Sequence, residues 1–268
     1  MDNIQVRTNC SLNECEVVCL KLILYVIPGN RRKSTLLTKS IMHIELIVFD
    51  LAGTTVEDNR DVHRVLQHTL SKHDVIVSLE DANDVMGIPK PVAIRTLLEK
   101  RYDGTEPITT SWIKEIHQQF VDEMVWFYKT SPSVREKRGV SDTFLKLKEN
   151  GIKIAVETGF DRRITNEILR RMRWAENGLI DCSVASDEVL RGRPFPDLIF
   201  QAMKETRVMA SENVTKVGDT ASDIQEGKAA DCGMTIAITS GAFSSEALKR
   251  ENPTALIDAI PDLLPLVL

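Results

Sequence analysis

Aromatic residues are scarce in this chain, with three Trp, three Tyr and eight Phe among 268 residues. That leaves too little for a stacking platform that would hold single-stranded nucleic acid. A basic excess is missing as well: 34 Lys and Arg face 39 Asp and Glu, a net charge of −5. A broadly basic nucleic-acid surface or a polybasic membrane patch is thereby excluded as the main business of the chain. No apolar run reaches the roughly 18 residues of a membrane span. The five cysteines form no C-x-x-C pair and are odd in number, which argues against a disulfide framework and a structural zinc site and favours a reducing, cytoplasmic home. No G-x-S-x-G occurs, so a nucleophilic-serine enzyme is unsupported. Four of the five histidines (His63, His68, His73 and His117) fall in one helical stretch and read as polar-face residues.

What is present is enough to build a core: 43% apolar and 27% charged residues, close to the globular norm. Residues 1–41 stand apart. They hold Cys10, Cys15 and Cys19, and their apolar stretch Val17–Ile27 has the length of a signal-peptide segment. Lys21 interrupts it, no small-residue cleavage site follows, and Arg31-Arg32-Lys33 comes next, so export is not the expectation. The reading is an N-terminal extension, poorly ordered or the product of an upstream start; an extra strand and helix on the domain edge is the alternative.

From Met42 the pattern becomes that of an α/β domain. Ile44–Phe49 reads as a buried strand ending at Asp50. Residues 61–137 are helical by period, with Val62, Val65, Leu66 and Leu70, then Ile94, Leu97 and Leu98, recurring at three and four. Strand and helix alternate afterwards: strands at Ile152–Val156, Val184–Ala185, Val214–Val217 and Met234–Ile238, with helices between and after them. The expectation is a doubly wound parallel sheet with a helical cap inserted after the first strand. The core takes residues 42–60 and 138–268, and the cap residues 61–137.

In such sheets ligands bind beyond the carboxyl ends of the strands. The segments at those ends make a coherent set: Asp50-Leu51-Ala52-Gly53-Thr54-Thr55, then Thr158-Gly159, then Arg191-Gly192-Arg193-Pro194, then Gly218-Asp219-Thr220-Ala221-Ser222-Asp223. Carboxylates, a hydroxyl, an arginine and glycine turns equip a site for Mg²⁺-assisted phosphoryl transfer. Singly, each has a plainer reading. Asp50 could close a turn, Asp219-Thr220 and Ser222-Asp223 could cap a helix, and Arg193 could be a surface charge. Four coincidences in order are harder to accept.

Those four segments, in that order, resemble the motifs of the haloacid dehalogenase (HAD) superfamily from about Ile44 to the C-terminus. Ala52, Arg193, T-G-F at 158–160 and G-D-T-A-S-D are most similar to its phosphonatase-like (phosphonoacetaldehyde hydrolase) branch. The resemblance implies that Asp50 is a nucleophile forming an aspartyl-phosphate. It implies Mg²⁺ on Asp50, the Ala52 carbonyl and Asp219, with Asp223 in support. Thr158 and Arg193 would serve the phosphoryl group, and backbone around Gly53, Thr54 and Gly159 would cradle it. Met86-Gly87-Ile88-Pro89-Lys90 matches the branch's cap motif, which makes Lys90 the amine that forms a Schiff base. With Pro91 in the first turn, Lys90 should open a helix, where the dipole and burial both disfavour an ammonium.

Ala52 cannot transfer a proton, whereas an alkoxide leaving group needs one. An enamine leaving group does not, so Ala52 and Lys90 together favour C–P cleavage. Three departures oppose this. Ala93 stands where the branch has histidine, Phe160 where it has tyrosine, and no cysteine lies near Arg60. The function expected is therefore hydrolysis of a small phosphono or phosphorylated metabolite, with no nucleic-acid or membrane partner; a homodimer is compatible with it. A phosphomonoester phosphatase of the phosphoglycolate phosphatase type is the alternative. A phospho-accepting receiver or a non-catalytic binding module is the alternative of another class. The cap argues against the receiver, and the presence of both Asp50 and Asp219 against a dead site.

Overall fold

The structure, a computed structural model, describes residues 43–268; the expectation for residues 1–41 lies outside the described residues. β1 (Leu46–Asp50) is LIVFD, buried along its whole length. Alternate side chains leave opposite faces of a strand. Leu46 and Val48 pack with Leu198, Ala202 and Val214, while Ile47 and Phe49 join the larger core with Phe144, Ile154 and Val217. A strand buried on both faces belongs in the middle of a parallel sheet, and β1 lies there.

Four helices follow β1: α1 (Asp61–Ser71), α2 (Leu79–Asp84), α3 (Lys90–Arg101) and α4 (Thr110–Thr130). The chain then runs through α5 (Val140–Glu149), β2 (Lys153–Thr158), α6 (Arg162–Met172), β3 (Cys182–Ala185), α7 (Asp197–Thr206), β4 (Val214–Gly218), α8 (Ala221–Ala229), β5 (Met234–Ile238), α9 (Ser245–Arg250) and β6 (Ala255–Ile257). All pairings are parallel, in the order β3-β2-β1-β4-β5-β6. The doubly wound α/β expectation holds, with β6 as an unanticipated edge strand. No helix among the described residues is long and apolar enough to cross a membrane.

The helical insertion leaves and re-enters the sheet domain at one place. Glu57 N–H donates to Arg135 at 3.0 Å and Lys137 N–H to Thr55 at 2.9 Å, so the two crossings run side by side. The strand order reverses at β1, with β2 on one side and β4 on the other. That switch point opens a crevice at the carboxyl ends of the strands.

Candidate active site

The crevice holds a small cavity, partly open to solvent. Asp50, Ala52, Lys90, Thr158, Gly159, Arg193 and Asp219 line it. Seven of the residues singled out from sequence are thus brought together from five separate stretches of chain. Gly53, Thr54 and Asp223 are not among its lining residues.

Arg193, fully buried, is the hub. Its Nη2 donates to Asp50 Oδ1 at 2.8 Å and to Glu157 Oε1 at 2.9 Å. Nε donates to Glu226 Oε2 at 3.1 Å, and Nη1 lies 3.0 Å from Asp223 Oδ1. Lys216 reaches three of those four carboxylates, touching Glu157 and lying 3.0 Å from Asp223 and 3.2 Å from Glu226. Burial alone would raise the Glu157 carboxyl, but Lys216 and Arg193 hold it down to about 2. Burial and the neighbouring Glu157 push Glu226 the other way, well above the usual carboxylate range. Glu157 is thereby held toward the ionised form, and Glu226 is pushed toward the protonated one. Oxygens of Glu157, Asp223 and Glu226 lie within 4.8 Å of one another, a spacing that a cation could bridge. Two side-chain cations already serve that cluster.

A second pair of carboxylates, Asp50 and Asp219, shares a single cation contact, that of Arg193 with Asp50. Burial pushes Asp219 up to about 8, with Asp50 and Asp223 adding repulsion. Burial likewise lifts Asp50 to about 6 against the pull of Arg193. Asp219 is held rigidly: Oδ2 accepts from the Ala242 N–H at 2.6 Å and Oδ1 from Thr54 Oγ1 at 3.1 Å. A Cβ at Gly53, where φ is +91°, would lie 2.3 Å from Asp219 Oδ2, so only glycine leaves room for that carboxylate. Two buried carboxylates and a nearby backbone carbonyl form the hard-oxygen set that suits a small divalent cation. The residues present fit such an ion.

Lys90 is the first residue of α3, with Pro91 behind it, and is 3% exposed. Its Nζ lies 5.2 Å from the Phe160 ring centroid and reaches the Ile88 carbonyl at 3.4 Å. Burial, then the positive Arg193, bring its pKa down to about 8, while Asp50 and Asp58 pull upward. The M-G pair ahead of it has a steric reason. Gly87 (φ +82°) sits so close to the start of α8 that a Cβ would lie 2.3 Å from Thr220 Oγ1. The loop carrying Lys90 rests directly on the core.

Three expectations need correction. The N–H groups of Gly53 and Thr54 are taken within their own tight turn, by the carbonyls of Val56 (2.9 Å) and Leu51 (3.2 Å), and do not face the cavity. Thr54 contributes its hydroxyl to Asp219 instead. His63 is no polar-face residue: it is 1% exposed, with Nε2 3.1 Å from Asn83 Oδ1. Helical period located it on α1 but could not show that α2 covers it. Capping and site chemistry also prove compatible, since Thr220 and Asp223 form the capping box of α8 while Asp223 contacts Arg193.

Sequence reading missed Glu157, Lys216 and Glu226. A signal existed: Glu157 and Lys216 are charges inside otherwise apolar, buried strands, positions tolerated only with a partner. Asp58, which also lines the cavity, gave no such signal.

Residues 47–237 match the family described as haloacid dehalogenase-like hydrolase. The phosphonoacetaldehyde hydrolase of Bacillus cereus is 30% identical over 233 residues, covering 82% of this chain and 86% of that protein. Its namesake in Bacillus anthracis matches with the same identity and coverage. Among solved structures, a phosphonoacetaldehyde hydrolase-like protein from Oleispira antarctica superposes with TM-score 0.74 at 21% identity, over 84% of this chain and 91% of that one. A protein from Lactobacillus delbrueckii assigned as a phosphoglycolate phosphatase gives TM-score 0.69 at 18% identity, over 85% and 99%. These two show the likeness of fold.

Proposed function

The chain belongs to the haloacid dehalogenase-like hydrolases, and from that membership we propose a Mg²⁺-dependent hydrolase of phosphonatase type, acting on a small phosphono aldehyde such as phosphonoacetaldehyde. One observation carries the reading: a buried lysine, its pKa brought down to about 8, shares a cavity with Asp50, while the residue two beyond that aspartate is an alanine. The name of the curated relatives supports it.

In this reading Lys90, as the free amine, attacks the aldehyde carbon and loses water to give an iminium. The electron pair of the C–P bond drains to that nitrogen as an enamine, and phosphorus passes to Asp50 as an aspartyl-phosphate. Water then cleaves the acyl-phosphate, while the enamine takes a proton at carbon and a second water hydrolyses the resulting iminium, releasing the aldehyde product and freeing Lys90. Because the leaving group is an enamine, no acid is required at Ala52. Arg193 occupies Asp50 Oδ1 and leaves Oδ2 to attack. The Thr158 hydroxyl accepts from the Phe160 N–H at 3.2 Å, so its own proton is free for a phosphoryl oxygen beside Gly159. Mg²⁺ held by Asp50, the Ala52 carbonyl and Asp219 would neutralise the phosphoryl oxygens. Asp223 supports the set through Arg193 and the start of α8. Residues 61–137 act as the cap that delivers Lys90.

The test is borohydride reduction in the presence of phosphonoacetaldehyde. Adduct at Lys90, with Lys90→Arg as inactive as Lys90→Ala, supports the reading. The second reading, a phosphomonoesterase, is favoured by Ala93 and Phe160, which bring no polar group to the amine. Phosphate release from monoesters, no adduct, and substantial rate in Lys90→Arg would establish it instead.

A further inference from the structure

The imine chemistry just proposed, on which this inference rests, requires proton traffic at the Lys90 nitrogen. Forming an iminium from an ammonium and an aldehyde moves two protons from nitrogen to the departing oxygen. Ala52, Ala93 and Phe160 offer no group for this. The cavity wall holds one more carboxyl, Asp58, on the segment that leads from β1 into α1.

The two oxygens of Asp58 are used differently. Oδ1 accepts from the N–H groups of Asp61 (2.6 Å) and Val62 (3.3 Å), holding the first turn of α1. Among the described residues Oδ2 makes no hydrogen bond; the ionisable group beside it is His63 Nδ1, 4.0 Å away. His63 Nε2 faces the Asn83 carbonyl oxygen and so carries the ring proton. Nδ1 is then a bare lone pair, buried without a hydrogen-bond partner and turned toward a carboxyl oxygen. A lone pair facing a carboxylate in a dry site is repulsive until a proton sits on one of them. Burial raises the Asp58 carboxyl and lowers His63, which places their proton affinities closer together than in water.

We propose that Asp58, with His63 behind it, is the proton relay of the site, carrying protons from the Lys90 nitrogen to the carbonyl oxygen that leaves as water. Asp58 as carboxylate takes a proton from the ammonium, which frees the lone pair for attack on the aldehyde carbon. The acid returns that proton to the oxygen. A second proton follows from the carbinolammonium nitrogen, water leaves, and C=N⁺ forms. Two protons leave nitrogen, two appear in water, and Asp58 ends as it began. His63, whose Nδ1 lies 4.0 Å from that free oxygen, is a positioning residue for it.

The experiment reads imine formation directly, as the rate at which borohydride and acetaldehyde place a reduced adduct on Lys90, followed by mass spectrometry. Asp58→Asn keeps a good helix-capping side chain and removes the acid. It should trap ~10²-fold or more slowly than wild type, the usual worth of a positioned acid–base group. Asp58→Ser also caps but leaves room, and added formate should restore much of its trapping rate; a fold defect would not respond to formate. Trapping within about threefold of wild type in Asp58→Asn would overturn the relay while leaving Lys90 as the imine former. Slow trapping that formate fails to rescue in Asp58→Ser would also overturn it, since the carboxyl would then act through the fold. Absence of adduct in wild type would overturn the imine reading itself, a separately visible result.

Discussion

Replacing Lys90 by methionine should make the protein more stable and catalytically dead. The side chain is 3% exposed, and its pKa is about 8 in the fold against 10.5 for a free lysine. At pH 7 folding therefore takes an ammonium into a site that disfavours it. The difference between those two values corresponds to about 3 kcal/mol. Methionine has similar length and no charge, so up to that amount is recovered. Imperfect packing lowers the expected gain to about 1–3 kcal/mol, or roughly 2–8 °C in Tm for a domain of this size. The sign of the pH dependence follows from proton counts. Between pH 8 and 10.5 the unfolded chain binds the proton and the folded chain has lost it, so wild-type stability rises with pH. The penalty is complete below pH 8 and gone above 10.5. Melting curves of both proteins at pH 7, 8, 9 and 10 should show the advantage of Lys90→Met shrinking steadily. A variant less stable than wild type at pH 7, or an advantage independent of pH, would refute the assignment of a buried, destabilised amine.

Asp50→Asn should abolish turnover while the protein still folds; more than a few per cent of wild-type rate, with deamidation excluded by mass spectrometry, would remove Asp50 as the nucleophile. EDTA should abolish activity and Mg²⁺ restore it, while excess Ca²⁺ should inhibit because its looser coordination lets both Asp50 oxygens bind; full activity in chelator would contradict the metal set. Glu157→Gln leaves Arg193 and Lys216 short of an anion in a fully buried cluster, so urea melts should show a loss of about 3–5 kcal/mol; a neutral effect would mean the cluster tolerates the imbalance. Gly87→Ala must place a Cβ against Thr220 at a positive φ, and kcat/KM should fall by more than the accompanying loss of stability explains; unchanged kinetics would show that the loop need not rest on the core.

Most of the sheet was legible because parallel strands buried on both faces are written as short apolar runs ending in small or acidic residues. LIVFD, KIAVET and VTKVG all obey that rule. β6 was not legible: three residues at an edge, Ala255–Ile257, carry too little pattern to separate from loop. Asp50, Thr158 and Asp219 were found because each lies at the end of a strand, where chain order alone brings them to one edge, whereas Lys90 came from its cap motif. Asp58 and His63 were not, because their relation depends on how α1 and α2 pack, and a helical period reports a face without reporting what covers it. The Gly53 and Thr54 amides failed for the opposite reason. Their turn is so local that it consumes the donors itself.

The side-by-side crossings at Thr55–Glu57 and Arg135–Lys137 have a consequence for how such a molecule can change over evolutionary time. Seen from the sheet, everything between them is one long excursion that departs and returns at neighbouring points. A short turn could join those points without displacing a strand. In the proposed reading the groups that would act at phosphorus lie on the sheet and the amine lies on the excursion, so the two could be exchanged separately. Swapping one excursion for another would exchange the organic half of the substrate while the reaction at phosphorus stayed as it was.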